Sequence, residues 1–239
     1  MENKSIIAII AIAIILVIGF LYNSSSGATV SAQGISTLKV SPDKVSVNVY
    51  IEAKNKTAQL AKEMHDKILD ETILQLLKIG IDKKDIKTLN FNIYPEYDWQ
   101  EGKNELKGYI ARQDIIIETK DFNLVADIVD ASVSAGALVS YINFELSQEK
   151  QNEYKAQALE EASKDATKKA EATARGLGKN IGKLLSVEGE EFNYGPIIYY
   201  RADSAEGSIA EAKQAAINLV PRDLEVSASV KVEYKLRSF

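Results

Sequence analysis

An alanine-rich helix running into an apolar strand, Ser147 to Leu185, constrains the fold of this chain more than any other stretch. Leu159, Ala162, Ala166, Ala170, Thr173 and Leu177 recur at spacings of three and four, which places them on one apolar stripe of an α-helix. Alanine dominates the stripe, so the helix axis can lie close to its cover, and the flat face of a β-sheet suits that. The opposite face pairs acid before base at i,i+4: Glu160 with Lys164, Asp165 with Lys169, Glu171 with Arg175. Ser147 supplies an N-cap, and Gly176 and Gly178 supply the stop.

A sheet is present to receive it. Val45, Val47, Val49, Ile51 and Ala53 alternate with polar residues, as do Leu224, Val226, Ala228, Val230, Val232, Tyr234 and Leu236; period two is the mark of a half-buried strand. Thr57 caps a helix whose inward stripe is Ala61, Met64, Ile68, Thr72 and Leu76, and Gly80 ends it. Leu89, Phe91 and Ile93 pair with the run Tyr109 to Ile117 as a hairpin, turning at 101–104, with Pro95 ending or edging its first strand. Asp121 opens a short helix, Leu138 to Leu146 forms a strand, and Lys183 to Glu188 another. The order suggests an α+β fold of two lobes, with antiparallel or mixed sheets and helices packed on one face. The first lobe takes 36–118 and 222–237, the second 119–190, and 191–221 reads as an irregular segment with a short helix.

At the start, Ser5 to Tyr22 is an uncharged apolar run near spanning length, so 1–22 is expected to be a transmembrane anchor. Lys4 on its short side puts the amino terminus in the cytoplasm and the rest outside; the alternative is a cleaved signal segment that leaves a secreted or periplasmic protein. The Ser- and Gly-rich 23–35 reads as a flexible tether.

Chemistry is sparse. The chain has no cysteine and one histidine, His65, which excludes thiolate chemistry and leaves no histidine set for zinc or for a serine-type triad. The net charge of −5, without a basic tract, argues against nucleic acid as a partner. Gly176, Gly178 and Gly182 follow a helix instead of leading into one, so they are not a phosphate loop. Glu188, Glu190 and Glu191 lack the spacing of a calcium loop. No catalytic, cofactor or metal residues are assigned. Two aromatic groups stand out as a contact surface: Tyr97 and Trp99 on the hairpin, and Tyr194, Tyr199, Tyr200 and Arg201 in the Gly- and Pro-containing segment. Asn55, in Asn-Lys-Thr, is a glycan acceptor where the host has the machinery.

Several stretches in order resemble the SIMPL-domain family. They are Gly34 through 40–43 (Val-Ser-Pro-Asp); Gly80, Ile81, Asp85, Ile86 and Thr88 before Tyr94, Pro95 and Tyr97; Gly108 with Tyr109; and Gly136 and Ala137 before Phe144. The helix of Ala158, Ala162, Ala166, Lys169, Ala170 and Ala174 running into Leu177, Gly178 and Gly182 continues the match, as does the strand Val226 to Leu236. The resemblance implies a two-lobed fold whose last strand returns to the first lobe, beside the first strand and the hairpin. It also implies no known catalytic residues. Family members are envelope proteins, some associated with tolerance of oxidative stress and some assembling into rings; an animal relative is linked to kinase signalling. The long apolar start and the segment 190–221 depart from many members. The leading expectation is a non-enzymatic, membrane-anchored envelope protein acting through homo-oligomerisation or binding of other envelope components. The rivals are a ligand-binding module with a pocket between lobes, and a hydrolase using carboxylates such as Glu188 and Glu191.

Overall fold

The computed structural model describes residues 27–100, 103–201, Gln214, Ala216, Ile217 and 220–238. The expected anchor, 1–22, and most of the expected short helix lie outside the described residues. Among those residues no helix is long and apolar enough to cross a membrane. The described strands are β1 (Thr29–Val40), β2 (Lys44–Asn55), β3 (Ile86–Gln100), β4 (Lys103–Thr119), β5 (Leu138–Glu145), β6 (Asn180–Tyr194), β7 (Ile197–Arg201) and β8 (Leu224–Arg237). The helices are α1 (Ala58–Lys78), α2 (Leu124–Ser134) and α3 (Gln148–Gly176). The class is α+β, with two antiparallel sheets. The chain divides into two compact units: one takes Ser36 and the described residues before it, Gln157–Phe192 and Ser227 onward, the other Thr37–Ala156 and Asn193–Val226.

The larger unit holds a five-stranded sheet in the order β3-β4-β2-β5-β7. β2 is central, antiparallel to β4 from Val45↔Thr119 to Asn55↔Tyr109 and to β5 from Lys44↔Glu145. Its odd-numbered residues, Val45 to Ala53, are buried, and Val45, Val47, Val49 and Ile51 pack with Leu76, Ile128, Val129, Ile142 and Phe144 under α1 and α2. The Thr57 cap forms as expected, its hydroxyl accepting the Leu60 N–H at 3.3 Å. The phase of α1 differs by one residue from expectation: His65 is buried and Met64 is 47% exposed, because the inward row is Ala61, His65, Thr72 and Leu76.

The smaller unit is helix α3 on the three-stranded sheet β1-β8-β6. Its fully buried residues are small: Ala158, Ala162, Ala166, Ala170 and Ala174 on the helix, Val30 and Ser36 on β1, and Ala228, Val230 and Val232 on β8. With no fully buried side chain larger than valine between helix and sheet, the two backbones come close together. The closest point is Gly34, where an added Cβ would stand 1.9 Å from the Ala162 carbonyl oxygen and 2.3 Å from the Ala166 nitrogen. Side-chain contacts hold the helix there. The Asp165 carboxylate accepts the Ile35 N–H at 3.0 Å, and the Thr167 and Tyr234 hydroxyls meet at 3.1 Å. The helix is turned slightly from expectation, since Ala158 and Ala174 are buried while Thr173 is exposed and Leu177 is 64% exposed. A row at strict i,i+4 winds around the helix, which suits the twist of the sheet beneath.

Four expectations are corrected. The tether 23–35 is replaced from Thr29 by β1, whose inward positions carry small residues because α3 leaves room for nothing else. The segment 191–221 is not irregular throughout: β6 runs to Tyr194, and Ile197–Arg201 adds to the edge of β5 as β7. The last strand does not return beside Lys44–Ala53 and the hairpin. Both sides of β2 are already taken by β4 and β5, so β8 pairs instead with β1 and β6. The lobe boundaries move accordingly, with α2 and β5 joining the first sheet and α3 and β6 joining β1 and β8.

Candidate functional site

β3 and β4 continue past the sheet. β2 ends its pairing at Asn55↔Tyr109, whereas β3 and β4 remain paired out to Gln100↔Lys103, so 96–100 and 103–108 form a two-stranded arm. Tyr97 lies opposite Leu106 and Trp99 opposite Asn104, which puts these four on one face. Register shifts between Glu96 and Tyr97, so Lys107 has no facing residue. The alternate residues of β3 begin against the helix, where the Phe91 ring packs 4.9 Å from His65, and then run off it. Exposure is level over Phe91 (40%) and Ile93 (37%) and then rises, to 54% at Tyr97 and 70% at Trp99. Leu106, 52% exposed, extends the patch; nothing in the sequence marks it, because only the bulge at Lys107 brings it opposite Tyr97.

The second aromatic group is placed differently. The Tyr194 hydroxyl accepts the Leu146 N–H at 2.7 Å, and burial pushes that phenol above its ordinary range despite this bond. Tyr199 stands edge-on to Phe144 at 5.4 Å and packs against the core of the larger unit. Tyr200 and Arg201 lie in β7, paired with Ile142 and Tyr141. The buried His65 has its Nδ1 3.2 Å from Asp66 and its ring against Phe91, a packing position. Glu188 is exposed and lies 3.4 Å from Lys231. Asn55 ends β2, its side-chain oxygen accepting the Lys56 N–H at 2.8 Å. Among the described residues no group of three or more His, Asp or Glu is placed to hold a metal ion.

The densest electrostatics belong to the end of the five-stranded sheet. Asp43 accepts both the backbone N–H and the hydroxyl of Ser147, each at 2.6 Å, tying the turn before β2 to the cap of α3. Lys44 lies 3.1 Å from Glu118 and 2.9 Å from Glu145; Lys87 approaches Glu118 at 2.6 Å. Burial works to raise the Asp43 carboxyl, but the Ser147 hydrogen bonds outweigh it and hold the group below its ordinary range. Glu118 behaves alike, burial being outweighed by Lys87 and Lys44. For Lys44 burial works to lower the ammonium, and the bonds to Glu145 and Glu118 outweigh it, so the group ends above its ordinary range. A carboxylate depressed by folding contributes stability that is present above its unfolded value near 4 and is lost as pH falls through the folded value; the raised lysine contributes fully below about 10.4 and is lost as pH rises through its folded value. Stability is therefore expected to decline below about pH 4. Asp43→Asn is expected to cost roughly 1 to 3 kcal/mol at pH 7 and to flatten that decline. Melting curves from pH 7 to pH 3 check this, and parallel profiles for both proteins would remove Asp43 from the account.

Among the described residues, then, an α+β scaffold carries a hairpin arm that presents aromatic residues to solvent. A profile of the SIMPL family, described as a protein of unknown function (DUF541), matches residues 30–234, so the chain belongs to that family. It is 28% identical over 195 residues to the uncharacterized protein YggE of Escherichia coli (strain K12), covering 80% of this chain and 79% of that one. It is also 27% identical over 114 residues to the 26 kDa periplasmic immunogenic protein of Brucella melitensis biotype 1, 46% of each chain.

Proposed function

We propose that this is a non-enzymatic extracytoplasmic protein, held at the cell membrane by 1–22, which works by associating with further copies of itself or with other envelope components. The periplasmic relative supports the compartment. The observation that carries the reading is the arm, where Tyr97 and Trp99 stand 54% and 70% exposed beside Leu106. Large aromatic residues on a protruding element offer apolar area at low entropic cost to a partner, and they are enriched where interfaces form. Tyr97→Ser with Trp99→Ser is expected to leave the melting temperature within about 3 °C, as exposed substitutions do. It is expected to lower assembly mass, or capture of envelope proteins by the detergent-solubilised chain, at least about tenfold in affinity, as loss of a hot spot does. Unchanged mass and unchanged capture would sink the proposal.

A further inference from the structure

Contacts within the smaller unit fix which of its ends lies nearest the apolar run 5–22. Asp165 accepts the Ile35 N–H, and Lys169, one turn later, donates to the Gln33 carbonyl at 3.3 Å, so β1 steps back as α3 steps forward. At about 3.3 Å per strand residue against about 1.5 Å per helix residue, Thr29 lies level with the last turn of α3. β8 ends at the same place, its Leu236 N–H donating to the Ala28 carbonyl at 2.7 Å. β6 begins there, since a Cβ at Gly182 would stand 2.8 Å from the Lys235 carbonyl oxygen. From Tyr22 to Ala28 the backbone takes six steps, which span at most about 22 Å when fully extended.

This end is basic, on a chain whose net charge is −5. Arg175 and Arg237 line an open pocket of about 290 Å³ with Glu171, Asn180 and Ile181. Lys179 donates to Ser238 at 2.9 Å, and the Lys235 Cε lies 2.6 Å from the Cβ position of Gly27, so both ammonium groups belong to the same end. The last carbonyls of α3 are taken by backbone N–H groups, Arg175 by Gly178 at 3.0 Å and Ala174 by Lys179 at 2.9 Å, so the helix does not need the Arg175 guanidinium as its cap. Among the described residues Glu171 forms no ion pair with either arginine, whereas Glu160–Lys164 and Asp165–Lys169 do form on the same helix. The four cations come from α3, the turn after it and β8, which is why no basic tract marks them in the sequence.

We infer that Arg175, Lys179, Lys235 and Arg237 hold the phosphate-bearing headgroups of anionic lipids, so that the smaller unit stands end-on against the bilayer. This rests on the reading that 1–22 anchors the chain. The short connection keeps this end within reach of the headgroup layer. Guanidinium groups match phosphate oxygens two at a time, and the Asn180 amide stands beside them as a further donor. Each basic side chain close to an anionic surface strengthens attachment by about fivefold, and the attraction fades over about 8 Å at physiological salt. The acidic remainder of the chain is repelled by the same surface, which selects this end over any other.

The chain has no cysteine, so a single introduced thiol can carry a fluorophore. Thr173→Cys and Gln157→Cys, both at exposed positions of α3, place it near the basic end and about 24 Å further up the helix. The full-length protein is reconstituted into vesicles of phosphatidylcholine, with or without phosphatidylglycerol, and energy transfer to a headgroup-labelled lipid is read. Phosphatidylglycerol is expected to raise transfer at Thr173→Cys at least about twofold over Gln157→Cys, and Arg175→Gln with Arg237→Gln to lower the ratio of docked to undocked protein at least about tenfold. Transfer at Thr173→Cys that ignores phosphatidylglycerol, or that survives the double substitution while the melting temperature matches the parent, overturns the headgroup contact. Inorganic phosphate that lowers transfer more than chloride of equal ionic strength makes the pocket a free-anion site and overturns it too. Flotation separates the two readings: a chain that floats with phosphatidylcholine vesicles keeps its anchor whatever the labels show. One that floats with phosphatidylglycerol alone, and no longer after the double substitution, loses the anchor and keeps the contact.

Discussion

Gly34→Val is expected to unfold the smaller unit, and Gly34→Ala to cost about 3 kcal/mol or more. The reason is that the contact is backbone on both sides. An added Cβ would stand 1.9 Å from the Ala162 carbonyl oxygen and 2.9 Å from the Ala166 Cα, atoms that move only if α3 moves with them. Overpacking a close-packed interior typically costs about 1 to 3 kcal/mol when side chains can shift, and here none can. Lifting the helix would also open the alanine row from Ala158 to Ala174 and break the Asp165 bond to the Ile35 N–H. Gly176→Ala is the matched comparison, since nothing lies within 4 Å of its Cβ position. It should change stability by less than about 1 kcal/mol, in the stabilising direction if the helix end accepts alanine. Hydrogen exchange along α3 and β8, with urea midpoints, separates the two; similar values for both variants would mean that the helix does not rest on β1 at Gly34.

Val230→Asp is expected to cost several kcal/mol and Lys231→Asp less than about 1 kcal/mol. Val230 is 2% exposed on the central strand of the three-stranded sheet, facing α3, and an aspartate there would set a buried carboxylate against the methyl groups of the alanine row. Lys231 points the other way, toward Glu188 at 3.4 Å, in a pair exposed on both sides whose loss matters little. With folding stabilities of about 5 to 15 kcal/mol, the first change is enough to empty the native state and the second is not. Coincident denaturation midpoints would show that β8 is in the wrong register or that its buried face is reversed.

Both substitutions bear on what can be read from residues alone. The alternation of β8 and the alanine spacing of α3 are local facts, so the strand, its inward face and its sheet-packed helix are legible in the sequence. The partner of β8 is not, because β2 and β4 alternate just as β8 does, and period two says nothing about which edge is free. β1 is hidden for a related reason. Its inward residues, Val30, Ala32, Gly34 and Ser36, look like linker composition, and their smallness answers a helix some 130 residues away. The one-residue turn of α1, with His65 inside and Met64 outside, reflects the placement of Phe91, which no window over the helix contains. Of the candidate surface, Tyr97 and Trp99 are exposed on the arm, whereas hairpin context by itself favours cross-strand stacking and packing for such aromatics. Tyr194 and Tyr199 sit beside Gly195 and Pro196, which suggested a loop, but the following run of Ile197, Ile198, Tyr199 and Tyr200 favours a strand, and Phe144 gives it something to pack on.

The sheet order β1-β8-β6 has a further bearing, on the time at which the protein can form. Ala28 accepts the N–H of Leu236, so a contact closing the smaller unit joins positions about two hundred residues apart. A growing chain that has reached residue 223 already contains β1, α3 and β6, yet lacks the strand that stands between them. Until β8 arrives, Gly34 and the alanine row have no common sheet to settle on, and closing so large a loop is slow. Losing the fourteen residues of β8 would remove a middle strand and not a trailing end. A chain cut before β8 therefore keeps both outer strands of the smaller unit without the one that joins them.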